Sequence, residues 1–465
     1  MSDYSDVPSD SYDSDGSFDN TFLDDDSDYE PPVVVDKGKK KLSTLEYKTL
    51  TCAHLQDTLE ADISKVAGLT GLESPIAAIL LQHFRWNEDK TIEKYMDNSA
   101  TVLKDIGEPE STISPGARPS KRAKLTPTEF TCGICYDNPS SDLVFKLRCQ
   151  HAFCIPCWGI FKELRRQSYV TAIPDLKFCP HPGCTETVSC TGGRGSSLLT
   201  EVPIVRCGQS HPFCFGCGFD SDHRPLICPL ISSWLKSARE DAGTSQWIKA
   251  NTRSCPKCKN NIEKNGGCNR ILCRHCQFQF CWLCLRNWET HGYNDATCNA
   301  WKPLDPDADM TEAQRNLEKW LFYFDRYNNH ELSAKLDQDL CERTEEKVVE
   351  VQETGKLSWI EAKFMQQAVD ELTQCRISLK WSYAMAYFMV QGNQKQIFED
   401  MQLDLEKAVE ELSQLLEENI EAASVKTLRQ RMMDKTVYVR SRHEVLLQDT
   451  AEGLREGRWE WNTYL

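Results

Sequence analysis

The sequence has no apolar run long enough to cross a bilayer as a helix, which needs about 20 residues. Its longest strongly apolar stretch, Trp381 to Val390, is much shorter and includes the polar Ser382. Residues 1–6 are polar and acidic, without the apolar segment of a secretory signal. We therefore expect a soluble, intracellular protein that binds no membrane and works in the cytoplasm.

Positive charge is missing from the start of the chain. Residues 1–36 contain 12 acidic residues and no Lys or Arg, whereas the whole chain has a net charge of −16. The remainder is thus close to balance, which argues against a nucleic-acid-binding surface, and we expect no nucleic-acid partner. A short basic run, 121–124, resembles a nuclear-import signal and makes the nucleus a second expected location, although such runs are more often merely solvated.

Cysteine, in contrast, is abundant and concentrated. The chain has 23 cysteines, and 20 of them lie between Cys132 and Cys298. In a small secreted protein this density would indicate disulfides, but here the cysteines form C-x2-C pairs with histidines between them in a long chain without an export signal. We therefore predict metal sites, with Zn2+ as the cofactor.

The composition divides the chain into segments. We predict an acidic disordered tail over 1–44, because it has few apolar residues, and a helical domain in which Ser74 is the N-cap of a helix that has Pro75 at its first position. Proline and serine mark a linker, and apolar stripes such as Leu317-Trp320-Leu321-Phe324 and Leu405-Ala408-Val409-Leu412 predict a C-terminal helix bundle. The predicted segments are the tail (1–44), the helical domain (45–107), the linker (108–128), three cysteine-rich segments (129–166, 167–235 and 252–300) and the helix bundle (310–465).

The first cysteine cluster has the C-x-H-x2-C-x2-C run of a RING. In a cross-braced RING, the first and third ligand pairs share one zinc, and the second and fourth pairs share the other. One site would use the cysteines at 132, 135, 154 and 157. The second pair, Cys149 and His151, still needs partners, which Cys179 and Cys184 could supply. That pair could instead belong to the next cluster.

In the next cluster, one site is complete and another has only three evident ligands. The complete site comprises Cys214, Cys217, His223 and Cys228. The incomplete one has Cys179, Cys184 and Cys207, and its fourth ligand could be His211, Gln209 or Cys190. Imidazole is a far better zinc ligand than an amide.

The third cluster supplies two complete sites and leaves one cysteine over. The ligands of the first site are Cys255, Cys258, Cys273 and Cys276, and those of the second are Cys281, Cys284, His291 and Cys298. Cys268 remains, directly after Gly266 and Gly267. Because four-ligand zinc sites leave no position open for a reaction, this spare thiol is the candidate nucleophile.

These motifs resemble those of the RING-between-RING ubiquitin ligases, specifically the Ariadne type. The resemblance covers residues 45–465. It rests on the 132–157 run, on Phe213-Cys214-Phe215-Gly216-Cys217, on the stretch from Cys255-Pro256-Lys257-Cys258 to Gly266-Gly267-Cys268-Asn269, on Phe280-Cys281-Trp282 and on Asn329-His330-Glu331-Leu332-Ser333. It implies a multidomain fold of small zinc-rich α+β modules, namely a RING, an IBR and a catalytic second RING, followed by an all-α Ariadne domain.

The resemblance also implies a mechanism. The first RING would bind a ubiquitin-conjugating enzyme, with Ile134 at the contact position, and Cys268 would accept ubiquitin and pass it to a substrate lysine. Residues 45–107 would be a UBA-like domain, and in the family neddylated cullin-RING ligases are a further partner. The Ariadne domain would hold the ligase inactive, with Leu336, Asp337 and Glu410 at the family's contact positions. The alternative is that Leu336 is a core residue and that Asp337 and Glu410 are merely solvated.

Two features depart from the family. The residue two after the catalytic cysteine is usually His, a general base, but here it is Arg270, which cannot accept a proton. Cys179 and Cys184 also follow Cys157 so closely that we assign them to the IBR domain, which leaves the first RING truncated. A competing hypothesis is therefore a non-catalytic adaptor that binds ubiquitin, a cullin or a conjugating enzyme.

Overall fold

The computed structural model describes most of the chain, and the account below concerns those residues. They are 45–107, 130–140, 143–146, 152–242, 252–292, 296–302, 310–353, 359–418 and 425–464. The predicted acidic tail, the whole linker with its basic run, and the candidate ligands Cys149 and His151 lie outside the described residues.

Four short helices form the N-terminal region. They are α1 (Cys52–Thr70), α2 (Ser74–His83), α3 (Glu88–Asp97) and α4 (Ser99–Asp105). The side chain of Thr51 caps α1, and Gly71 ends it in the left-handed conformation. The predicted start of α2 is confirmed, although its capping residue is Glu73, because Ser74 is already the first helical residue.

The cysteine-rich region consists of very short strands and a few helices. Its elements are β1 (Tyr47–Leu50), β2 (Val144–Lys146), β3 (Ala152–Cys154), α5 (Ile155–Ala172), β4 (Leu176–Phe178), β5 (Thr187–Cys190), β6 (Ile204–Arg206), β7 (Pro212–Cys214), α6 (Cys228–Ala242), β8 (Thr252–Ser254), β9 (Asn261–Glu263), β10 (Arg270–Leu272), β11 (Gln279–Cys281) and α7 (Trp288–His291). Most strands pair as antiparallel hairpins, β2 with β3, β6 with β7, β8 with β9 and β10 with β11. Such small sheets bury little apolar surface, so a metal bound by the cysteines would supply much of their stability.

Two connections tie the N-terminal region to the first zinc modules. Strand β1 pairs antiparallel with β5, so a strand before α1 completes the sheet β1-β5-β4. Helix α5 begins at the last cysteines of the first cluster and runs without a break past residue 166, the predicted boundary of the IBR domain. Its C-terminal end, with Tyr169 and Val170, packs in one apolar cluster with α1 and α2.

Four long helices form the C-terminal region. They are α8 (Glu312–Glu353), α9 (Trp359–Phe388), α10 (Asn393–Glu417) and α11 (Val425–Glu456). The predicted stripe Leu405-Ala408-Val409-Leu412 is fully buried, but Leu317 of the other stripe is 51% exposed. Trp234 of α6 is wholly buried against Trp320 and Tyr327 of α8, so α6 belongs to the core of this bundle. The predicted fold class is thereby confirmed.

In the described part of the chain, no single helix has the length and apolar character needed to span a membrane. Only α1 and α2 taken together meet that test, by length and composition alone, and they are bent by 102° relative to each other.

Candidate metal centres and active site

The structure brings the predicted metal ligands together in five groups of four. The groups are Cys132, Cys135, Cys154 and Cys157; Cys179, Cys184, Cys207 and His211; Cys214, Cys217, His223 and Cys228; Cys255, Cys258, Cys273 and Cys276; and Cys281, Cys284, His291 and Cys298. Within each group the candidate ligand atoms lie within 4.8 Å of one another. Hairpin turns create part of this arrangement, because the β8-β9 and β10-β11 turns each carry one C-x2-C pair.

These groups have the dimensions of zinc sites. Tetrahedral zinc with thiolate bonds of about 2.3 Å places its sulfur atoms about 3.8 Å apart. The Sγ atoms of Cys255 and Cys276 are 3.6 Å apart, and those of Cys184 and Cys207 are 3.9 Å apart. The donor sets of three or four thiolates with at most one imidazole are those of closed structural sites. The residues therefore fit Zn2+, which would hold each module together.

The fourth ligand of the incomplete IBR site is His211. Its Nδ1 lies 3.5 Å from the Sγ of Cys207 and 3.8 Å from that of Cys179. Cys190 points elsewhere, because its thiol contacts the carbonyl of Gly192 at 3.6 Å. The structure thus groups Cys179 and Cys184 with the IBR ligands and leaves them unavailable to the first RING.

The first cluster contains one described four-cysteine group, and the partners of Cys149 and His151 stay undefined because both residues lie outside the described chain. Ile134, the predicted conjugating-enzyme contact, lies between Cys132 and Cys135 and is 51% exposed. An apolar side chain at this exposed position is free to contact a partner, so its assignment stays a prediction.

Cys268 belongs to none of the five groups. It lies in the loop between β9 and β10 and is only 2% exposed. Its Sγ accepts a hydrogen bond from the backbone N–H of Arg270 at 3.4 Å. The thiol therefore lies outside these five groups and is covered by the C-terminal helices.

Carboxylates from two helices of the bundle close over this loop. Glu417, at the end of α10, accepts a hydrogen bond from the backbone N–H of Cys268 at 3.4 Å. Asp337 of α8 is completely buried beside Gly267. A Cβ atom at Gly266 would overlap Glu417, and one at Gly267 would overlap Asp337. The two glycines therefore permit a backbone approach that no other residue type would allow.

Arg376 of α9 holds this arrangement together. It is wholly buried, and its guanidinium donates to Asp337 at 3.2 Å, to Glu410 at 2.5 Å and to the carbonyl of Gly267 at 3.0 Å. Glu410 in turn accepts hydrogen bonds from the backbone and side-chain N–H groups of Asn269, at 2.6 and 3.0 Å. Breaking such a network on one side leaves a buried charge without compensation.

The pKa values of the two carboxylates that bind Arg376 are shifted in opposite directions. Burial raises the pKa of Asp337 despite the nearby guanidinium. Burial alone would also raise the pKa of Glu410, but the charges of Arg376 and Lys264 and the hydrogen bonds from Asn269 outweigh it and lower that pKa. The difference follows from the shorter and more numerous hydrogen bonds of Glu410.

Lys264 is the second buried cation at this interface. Its ammonium group lies within hydrogen-bonding distance of Gly267 O, Asn269 Oδ1, Asn329 Oδ1 and Ser333 Oγ, at 2.7–3.2 Å. Burial lowers the pKa of Lys264 to about 8. Lys264 and Asn269 belong to the loop, whereas Asn329 and Ser333 lie on α8.

The structure therefore brings Asp337 and Glu410, but not Leu336, into described contacts with the Cys268 loop; Leu336 is half-buried on the same helix as Asp337. Sequence reasoning missed Glu417, Arg376 and Lys264. For Glu417 a signal existed, because it follows Glu410 by seven residues and so lies on the same face of α10.

Position 270, where a histidine is expected, carries an arginine. The Nε of Arg270 donates to the side chain of Gln279 at 3.0 Å, and neither group can take up a proton at neutral pH. His275, a possible substitute base, is exposed in the turn between Cys273 and Cys276. The carboxylates that reach the loop, such as Glu417, come from the C-terminal helices.

Comparison with known protein families gives four matches along the chain. They are the UBA-like domain of E3 ubiquitin-protein ligase ARIH1 over residues 58–97, the IBR domain described as a half RING-finger over 159–228, an IBR domain over 250–299 and the Ariadne domain over 318–441. The Ariadne match covers the helices that supply Asp337, Arg376, Glu410 and Glu417.

Whole-chain relatives agree with these matches. The chain is 37% identical over 471 residues to E3 ubiquitin-protein ligase dbl4 of Schizosaccharomyces pombe, covering 92% of each protein. It is 33% identical to E3 ubiquitin-protein ligase arih1l of Danio rerio, over 89% of this chain and 85% of the relative. It is 32% identical to E3 ubiquitin-protein ligase ARIH1 of Homo sapiens, over 89% of this chain and 82% of the relative.

Proposed function

The chain belongs to the Ariadne family of RING-between-RING E3 ubiquitin-protein ligases, and on that premise we propose that it accepts ubiquitin as a thioester on Cys268 and transfers it to a lysine of a substrate protein. The observation that carries this proposal is the position of Cys268, a thiol outside the five four-ligand groups, in a loop whose two glycines allow close approach of the helices. The thiolate would attack the thioester of a charged conjugating enzyme, whose cysteine leaves as the thiol.

We further propose that the C-terminal helices hold the enzyme inactive. Asp337, Glu410 and Glu417 occupy the surroundings of Cys268 that an incoming ubiquitin tail would need, and the thiol is 2% exposed. Release would require a partner that separates these helices from the catalytic module. Neddylated cullin-RING ligases, the partner of the family, are the proposed trigger.

One experiment tests the thioester. The full chain and the variant Asp337→Ala/Glu417→Ala are mixed with ubiquitin-charged conjugating enzyme and run on non-reducing gels. We expect a thiol-sensitive ubiquitin adduct that forms faster on the double variant and disappears when Cys268→Ala is added. Cys52→Ala, which removes an exposed cysteine outside the metal groups, should leave the adduct intact.

A catalytically impaired adaptor is the second candidate, because Arg270 and Gln279 offer no base to the attacking amine. Absence of the adduct from the double variant, with conjugating enzyme still bound, would favour it over the transferase. If Cys268 loads but discharges slowly, Arg270→His should speed transfer to free lysine in single-turnover assays. No change would rule out a missing base as the cause.

A further inference from the structure

We propose that Lys264 is a positioning residue for the nucleophile, whose ammonium group holds the residues on both sides of Cys268 and places a positive charge beside the thiol. This inference rests on the proposed role of Cys268 as the ubiquitin acceptor. The positively charged residue itself belongs to the catalytic module, so its effect would persist after the C-terminal helices leave.

The geometry within the module carries the first part of the argument. Lys264 directly follows β9, and its Nζ lies 3.0 Å from the carbonyl oxygen of Gly267 and 3.2 Å from Oδ1 of Asn269. These two residues flank Cys268 immediately on either side. The ammonium group therefore ties both ends of the nucleophile's backbone to the end of a strand, and that strand is fixed by its hairpin with β8.

The same ammonium group also meets the bundle. Asn329 Oδ1 at 3.0 Å and Ser333 Oγ at 2.7 Å, both on α8, complete its surroundings. An ammonium has three hydrogens to donate, but four acceptors lie within reach. In the closed arrangement the loop and the helix thus compete for these hydrogens, and departure of the helix frees the ammonium for Gly267 and Asn269.

The other charged groups around Cys268 come mostly from the bundle. Arg376, Asp337, Glu410 and Glu417 face the loop from α8, α9 and α10 and would leave with those helices. Within the module, the guanidinium of Arg270 is turned toward Gln279. Among the described residues, Lys264 is thus the cation whose charged group contacts the Cys268 loop from inside the module.

In the closed state, burial lowers the pKa of Lys264 to about 8, whereas a solvated lysine titrates near 10.5. The ammonium form therefore still predominates at pH 7, and release of the helices would extend it to higher pH. A positive charge close to a thiol favours the thiolate, which is the form that attacks a thioester.

The test measures the reactivity of Cys268 against pH in the full chain carrying Asp337→Ala/Glu417→Ala. Alkylation by iodoacetamide is followed on the Cys268 peptide by mass spectrometry, so no ubiquitin is needed. Lys264→Met should move the midpoint of the pH profile upward by about one unit and slow alkylation at pH 7 about tenfold. Lys264→Arg should keep the original midpoint.

Two further variants make the result decisive. Lys264→Gln keeps a hydrogen-bond donor without the charge and should shift the midpoint as Lys264→Met does, with bound zinc unchanged by native mass spectrometry. Lys335→Met, at an exposed position on α8, should change nothing. An unshifted midpoint in Lys264→Gln and Lys264→Met would overturn the inference, as would loss of zinc from both, since the lysine would then only stabilise the fold.

The outcome separates this inference from the proposed function. A shifted profile in a protein that never forms the ubiquitin adduct would support Lys264 and reject the thioester. A normal adduct on Cys268 with no shift in the Lys264 variants would support the thioester and reject the role of Lys264.

Discussion

The two ends of the described chain contact the zinc modules through interfaces of opposite character. The N-terminal helices meet α5 through an apolar cluster in which Leu59 and Val66 are fully buried, and β1 adds backbone hydrogen bonds to β5. The C-terminal helices meet the Cys268 loop through buried charges, with Arg376 at the centre. The favourable free energy of apolar burial is lost when the surfaces are exposed to water. Charged groups that separate, in contrast, regain their hydration, which offsets part of the lost attraction.

Under the proposed autoinhibition, the apolar contact would be the permanent one and the charged contact the one that opens. The bundle itself has both kinds, since Trp234 of α6 packs into its apolar core, while its polar face covers Cys268. We therefore expect the bundle to stay attached at α6 when it releases the catalytic loop. Regulation would then require only local opening, without dissociation of a whole domain.

The largest expected effect is that of Arg376→Ala. This change leaves Asp337 and Glu410 buried without their cation, which costs about 3–5 kcal/mol and favours opening of the interface. Hydrogen exchange of residues 264–272 should rise, whereas exchange in α1 and α5 should not. Arg431→Ala, which removes an exposed pair with Glu418 at 3.1 Å, should cost less than about 1 kcal/mol; equal effects of the two variants would contradict the account.

The next effect concerns the apolar interface. Leu59→Ala removes a fully buried side chain and should lower the free energy of unfolding by about 2–5 kcal/mol. Denaturant unfolding monitored by circular dichroism measures this loss. The exchange of the Cys268 loop should stay as in the wild type, and Leu69→Ala, 53% exposed on the same helix, should be nearly neutral. Loosening of the loop by Leu59→Ala would show that the interfaces are not independent.

A smaller effect is expected for Gly267→Ala, which changes no charge. Its Cβ would overlap the carboxylate of Asp337, and such overpacking costs about 1–3 kcal/mol. We expect faster exchange in the loop, although less than for Arg376→Ala. Gly68→Ala, where a Cβ meets nothing within 4 Å, is the matched control and should stabilise α1 slightly.

The last effect is spread over several pH units and concerns the dependence of closing on pH. Burial raises the pKa of Glu417 above 4.5, so its contribution to the closed state is present at acid pH and is lost as the pH rises through the raised value. In the closed state the pKa of Lys264 is lowered to about 8. Between about pH 8 and 10.5 the open form therefore binds more protons, and the closed state becomes more stable relative to the open state as the pH rises. Loop exchange, corrected for its intrinsic pH dependence, should therefore be fastest between these windows; a steady trend would contradict this.

The sequence predicted the chemistry of single modules well, because cysteine spacing is a local property. The pairs at 255/258 and 273/276 come together as expected, and Cys268 was singled out because those ligands did not require it. The stripe from Leu405 to Leu412 likewise reports a helical period that requires no tertiary information.

Contacts between distant segments were beyond sequence reasoning. Arg376 is one of several charged residues of α9, and nothing local indicates that it meets Gly267, 109 residues away. The pairing of β1 with β5 across the first zinc module is equally non-local. Lys264 was overlooked because an isolated lysine usually marks a solvated surface.

The most direct test of the releasable interface is the rate of Cys268 alkylation by iodoacetamide at pH 7 in the full chain. The account predicts slow alkylation in the wild type and a rate at least about tenfold higher in Asp337→Ala/Glu417→Ala. A tenfold factor requires only that the two substitutions destabilise the closed state by about 1.4 kcal/mol. Equal rates in the two proteins would contradict the claim that these carboxylates keep Cys268 covered.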